Sequence, residues 1–245
     1  MATIVIDPRF NGLPGIALGG YVGGILARGH AKAEVTLRRP VQLGKPYQTV
    51  AGPDGRVLQD ENDILAVSRD ASVNLEIPLP VGLETSKVAS EHYVGRQRHL
   101  VPSCFNCGPL RAEGDGLRIF PGVVAGRDVV AAPWTPPMSL ADSRGTVASE
   151  FIWSALDCPA IWPLVLFGRP DTDERAVTAR LAVELISPVI ASEPHVVMGW
   201  KVAETDRTRV GGGAIYSADG QLLATARHTL LTSDWGVPMG LNRWL

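Results

Sequence analysis

Apolar residues recur at helix-like spacing in two glycine-led segments, GIALGGYVGGILA (15–27) and GTVASEFIWSALD (145–157). The first carries glycine at 15, 19, 20, 23 and 24. A glycine inside a helix costs about 1 kcal/mol relative to alanine, so the four from Gly19 to Gly24 cost on the order of 4 kcal/mol, a sizeable share of a domain's net stability. Close approach of something to the helix backbone is the usual physical reason for tolerating that. The pattern predicts one helix over roughly 16–29 and another over 145–167. Short extended segments precede them, TIVID in one case and GLRIFPGVV in the other. After each helix, Val, Thr, Ile and Leu alternate in β-like fashion, broken by PDG (53–55), ADG (218–220) and prolines.

The two helical segments belong to a longer self-similarity. VTLRRPVQLGKPY (35–47) matches VELISPVIASEPH (183–195), with Pro40 over Pro188 and Pro46 over Pro194. ILAVSRD (64–70) matches LLATARH (222–228), with Arg69 over Arg227. The offsets are 130, 148 and 158, so the order is kept and the second copy carries insertions. The chain reads as two copies of one unit, residues 1–85 and 116–245 with its C-terminal tail. Residues 86–115, with turn formers, GRQRH and CFNCGP, read as a structured linker or loop. Strands that nearly all follow the helix imply an α+β unit with an antiparallel, meandering sheet and the helix on one face.

Composition narrows the class. In 245 residues, 45% hydrophobic and 20% charged content describes an ordinary soluble globular protein. A net charge of −2 with no run of Lys or Arg gives no case for nucleic acid. Three cysteines fit a reducing cytosol better than a disulfide framework. The N-terminus lacks the pattern of a secretory signal, and no run of 18 apolar residues could span a membrane. A cytoplasmic location is the expectation.

With these features the sequence resembles the hotdog-fold acyl-CoA thioesterases over both copies, around 200 residues. That resemblance implies two tandem hotdog units, each an antiparallel sheet wrapped around one long helix, paired to build the active site. In the family, the segment entering the helix reads like G-x-x-H-G-G, with an acidic residue seven positions after the second glycine. The first copy keeps Gly19 and Gly20, but has Leu18 for the histidine and Ala27 for the acid. The second has Ala148, Ser149 and Glu150 in place of histidine and glycines, yet keeps the acid as Asp157. Together the halves supply one set. The implied function is hydrolysis of an acyl-CoA or acyl carrier protein thioester at a single composite site, without cofactor or metal. A homodimer of tandem units is a further possibility. The alternatives are a non-catalytic acyl-thioester binder and a hotdog hydratase or dehydratase. The latter has a D-x-x-x-x-H arrangement, which no histidine here matches.

The residue chemistry supports this assignment. Unpaired N–H groups at a helix N-terminus polarise a carbonyl, and glycine lets the carbonyl come close. Gly19 and Gly20 are therefore candidate oxyanion donors, and Asp157 the candidate base or nucleophile. Glu150, Ser154 and Asp157 fall within ~60° on one helix face, opposite Phe151, Ile152, Ala155 and Leu156. Their equivalents in the first copy are Gly20, Gly24 and Ala27. Gly23 and Gly24 leave room for a helix neighbour or the pantetheine arm, and Ser154 could orient water. Glu150 reads first as an acid favoured by the helix dipole and second as a catalyst. Cys104-x-x-Cys107, with His92 and His99 upstream, has knuckle-like spacing but no second tight pair, so packed thiols without zinc are expected. Cys158 reads as core. Trp153 and Trp162 could line an acyl pocket, and Trp235 and Trp244 belong to a closing segment that folds back as a cap.

Overall fold

The computed structural model describes residues 2–169 and 173–240. Within them the chain runs β1 (Ala2–Val5), α1 (Gly19–Leu26), β2 (Lys32–Leu37), β3 (Pro46–Ala51), β4 (Arg56–Asp60), β5 (Asp63–Arg69), α2 (Leu83–Glu91), β6 (Gly122–Val123), β7 (Val129–Trp134), α3 (Ser149–Leu166), β8 (Arg175–Leu185), β9 (His195–Glu204), β10 (Thr208–Ser217), β11 (Leu222–Ser233) and β12 (Val237–Pro238). The strands form one antiparallel sheet in the order β1-β3-β4-β5-β2-β8-β11-β10-β9-β7-β6, with β12 paired to β8. Strands of the first half and of the second meet where β2 pairs antiparallel with β8, Val35 opposite Leu181.

The offsets read from the sequence recur in the hydrogen bonding. Leu18 N–H donates to Phe10 O, and Ala148 N–H to Leu140 O, each at 2.9 Å. Ala17 N–H donates to Val41 O at 2.8 Å, and Val147 N–H to Val189 O at 2.9 Å. Arg38 N–H and Ile186 N–H donate to Leu65 O and Leu223 O, both at 2.8 Å. Gly15 and Gly145 head these segments with φ of 73° and 79°, a left-handed conformation that glycine adopts without steric cost.

Those bonds also correct the helix limits. Residues 16–18 and 146–148 pair with neighbouring chain before the helices begin, so α1 and α3 are shorter than the apolar periodicity suggested. The counterpart of β1 in the second copy is β7, which pairs with β9 as β1 pairs with β3, rather than GLRIFPGVV. The segment read as linker is also more ordered than its turn formers implied. It includes most of α2, whose Ala89 joins Val129, Ala131, Val196, Met198 and Tyr216 in a second apolar cluster. Alternate residues of β7, Val130, Ala132 and Trp134, enter the main core with Ile152, Trp153 and Leu156 of α3. The sheet therefore buries both faces in this half.

The glycine stripe of α1 faces α3. A Cβ on Gly20 would lie 2.5 Å from Trp153 O, and one on Gly24 would lie 2.3 Å from Glu150 Cα. Gly23 lies under the Trp153 ring, 2.5 Å from where a Cβ would stand. Residue numbers rise along α1 as they fall along α3, so the helices pack antiparallel, backbone against backbone. Helix packing is thus the approach that the glycines permit. At an unobstructed helix position Gly→Ala stabilises by about 1 kcal/mol. Gly24→Ala should instead destabilise by about 1–3 kcal/mol, because the clash is with backbone that cannot rotate away. Urea titration of the two proteins measures this, and an unchanged or raised midpoint would contradict the contact.

Candidate active site

Helix α1 has no cap of its own: Leu18, at its N-cap, offers no side-chain acceptor. The acceptor comes from α3 instead. Asp157 Oδ2 accepts the Gly20 N–H at 2.6 Å. The adjacent Gly19 N–H has no acceptor among the described residues, and a Cβ built on Gly19 would lie 3.5 Å from Asp157 Oδ2. The α1 dipole favours a negative charge at this position.

Asp157 is 2% exposed, and burial pushes its pKa up to about 7 against the lowering effect of the Gly20 N–H. Behind it stands His228, on β11 and fully buried. His228 Nδ1 is 3.3 Å from Asp157 O, and Nε2 is 2.9 Å from Thr178 Oγ1. A carbonyl only accepts, so Nδ1 carries the proton and Nε2 accepts from the Thr178 hydroxyl. The Asp157 carboxylate is 3.6 Å from Nδ1, beyond a hydrogen bond. Burial lowers His228 to about 4, so the ring is neutral near pH 7.

Asp157 and Gly19 open onto an apolar cavity of about 190 Å³. Leu18, Val22, Ile161, Trp162, Val165 and Leu230 line it, with Thr178, His99 and all three cysteines. Trp235 also lines it, on the segment returning through β12, in keeping with a cap. Trp244 lies outside the described residues. Arg38 and Arg39, both exposed, stand at its rim. An apolar chamber with one carboxylate and one free amide at the wall can hold an acyl group and present its carbonyl to a base.

The remaining sequence candidates lie elsewhere. Gly23, Gly24, Trp153 and Ser154 are in the helix–helix contact, and none of them lines the cavity. Ser154 Oγ donates to Glu150 O at 2.7 Å, within its own helix. Glu150, in the first turn of α3, pairs with Arg28. Gly20 gives its N–H to Asp157, so of the two proposed oxyanion donors only Gly19 retains a free one. Cys158 is in the core as read, and it also lines the cavity, its sulfur 3.7 Å from that of Cys104. His92 is exposed at the end of α2, away from the thiols.

Sequence reasoning missed His228 and Thr178. His228 closes the third repeated segment, opposite Asp70 of the first copy. A polar residue on a strand position whose neighbours two away are buried, Ala226 and Leu230, was the available signal.

No protein-family model matches the sequence, and no curated protein does. Solved structures do resemble the fold. A conserved protein of unknown function with a hotdog fold from Alicyclobacillus acidocaldarius aligns with a TM-score of 0.59 at 12% identity, over 95% of this chain and 93% of that one. The TesB protein of Mycobacterium avium subspecies paratuberculosis aligns at 0.58 and 10% identity, over 89% and 88%. Likeness at such identities is a likeness of fold: the chain has the hotdog fold. No helix among the described residues is long and apolar enough to cross a membrane.

The linkage of the buried pair has opposing signs. Asp157, raised on folding, loses stability as pH rises through 7, whereas His228, lowered on folding, loses it as pH falls from 6.5 toward 4. The two partly cancel in global stability, so site-resolved titration is the clean readout. ¹⁵N NMR of histidine-labelled protein should show His228 as the neutral Nδ1–H tautomer down to pH 5. An imidazolium at pH 6 would contradict the assigned geometry.

Proposed function

We propose that this protein is an acyl-CoA thioesterase-like hydrolase with one composite active site. The observation that supports this best is the Asp157 carboxylate, from the second copy, held by the Gly20 amide of the first at the wall of an apolar cavity. In this reading residues 1–85 and 116–245 are the two hotdog units, joined by 86–115. The acyl chain enters the cavity, and its thioester oxygen accepts the Gly19 N–H. Asp157 takes a proton from water as the oxygen attacks the carbonyl carbon, and the thiolate of coenzyme A leaves. Preorganised N–H donors and a positioned base each contribute roughly 10²–10³ to such a reaction. His228 and Thr178 fix the Asp157 segment from behind. At the pseudo-symmetric position Ala27 offers no carboxylate, and Glu150 is engaged by Arg28, so that end is inactive.

Arg38 and Arg39 at the rim complement the phosphates of coenzyme A, although Arg39 also pairs with Asp63 at 3.1 Å. This favours coenzyme A over a substrate carried on a short neutral thiol.

Thiol release from acyl-CoA esters of graded chain length tests the activity. Asp157→Asn keeps the side-chain shape and should lower kcat by at least ~10² with folding intact. Hydrolysis that survives the change would leave the site as a binding pocket or move the chemistry elsewhere. Separately, Arg38→Ala with Arg39→Ala should raise KM for acyl-CoA while leaving kcat/KM for the matching N-acetylcysteamine thioester unchanged. Equal effects on both substrates would remove coenzyme A recognition from these residues.

A further inference from the structure

The three cysteines converge. Cys104 and Cys107 come from the CFNCGP loop, and Cys158 comes from α3, 54 residues beyond Cys104. Their sulfurs lie within 4.8 Å of one another, all buried, and His99 Nε2 is 3.2 Å from Cys107 Sγ. We propose that His99, Cys104, Cys107 and Cys158 bind one zinc ion.

The distances fit a metal better than a disulfide. Zinc bonds to thiolate at about 2.3 Å, which sets the sulfurs of a tetrahedral site about 3.8 Å apart. Cys104 and Cys158 stand 3.7 Å apart, whereas a disulfide needs about 2.05 Å. The same geometry places an imidazole nitrogen about 3.5 Å from each sulfur ligand. His99 Nε2 has about this spacing to Cys107, at 3.2 Å. It stands outside the 4.8 Å group of the three sulfurs, so its ring must shift toward Cys104 and Cys158 to close the tetrahedron.

The loop is also shaped to present both of its sulfurs. Gly108 N–H donates to Cys104 O at 3.0 Å. A Cβ at Gly108 would lie 2.5 Å from Cys104 N, so the chain doubles back tightly after the second cysteine. Spacing in the sequence left this set incomplete, because the third sulfur arrives from α3, beyond the linker that carries the first two. Soft thiolates with one imidazole in a tetrahedron favour zinc over magnesium, calcium or manganese.

Binding is balanced by proton release. Three thiols give up three protons and the imidazole binds neutral, leaving a zinc centre of net charge −1. Without metal, His99 Nδ1 accepts the Val101 N–H at 3.0 Å, so Nε2 bears the ring proton and faces Cys107. Coordination moves that proton to Nδ1 and releases the Val101 N–H. With all four positions filled by protein the ion is structural. It ties the loop to α3 and holds the wall of the cavity that these four residues share.

Protein purified without chelator should contain one zinc per chain by elemental mass spectrometry. X-ray absorption at the zinc edge of that intact protein should resolve three sulfurs and one nitrogen, which requires no variant to fold. Cys107→Ser and Cys158→Ser should each abolish stoichiometric binding. His99→Ala should weaken retention against a chelator at least ~10-fold, while His92→Ala leaves it unchanged. Fewer than three sulfurs, a Cys104–Cys158 disulfide in the native protein, or no zinc taken up by the reduced chain would each overturn the proposal.

Discussion

The backbone contact between α1 and α3 governs the rest of the molecule. Glycine at 20 and 24 lets α1 lie directly on the α3 main chain, and Gly23 between them accommodates the Trp153 ring. That closeness carries the Asp157 carboxylate across to the N-terminus of α1, which has no cap of its own. Larger residues would push the helices toward the ordinary spacing of 8–10 Å and separate acid from amide. The cost of several helix glycines is therefore set against one close contact and one polar pairing.

The pairing sits at the inner wall of the cavity, where the Asp157 carboxyl and the His228 ring are both buried. Their charge states therefore follow burial more than bulk pH. The acid is raised and the histidine lowered, which favours neutral forms of both. Asp157 nevertheless retains the Gly20 N–H, a donor that stabilises its ionised form. A carboxyl poised between the two states is well matched to moving protons near neutral pH.

Much of the fold was legible in the chain. Three repeated segments in constant order, at offsets 130, 148 and 158, were read from the sequence, and backbone hydrogen bonds recur at those offsets. Period-2 alternation marked the antiparallel strands. The helix limits were misread because Ile16, Ala17, Thr146 and Val147 keep helical apolar spacing while pairing as short bridges. Asp157 was visible through its place in the repeat, but the identity of its amide partner was not, since that depends on how the helices cross. His228 was illegible for the same reason: its contacts, Asp157 and Thr178, lie far away in sequence. The small residues of α1 allowed both a helix neighbour and a substrate arm, and only packing distances separate the two.

A crystal structure with a non-hydrolysable acyl-CoA analogue, its thioester sulfur replaced by methylene, tests the composite site most directly. The account predicts the ketone oxygen within hydrogen-bond distance of the Gly19 N–H, with the acyl chain in the cavity and Asp157 beside the carbonyl carbon. An analogue bound with its carbonyl remote from both Gly19 and Asp157 would contradict it.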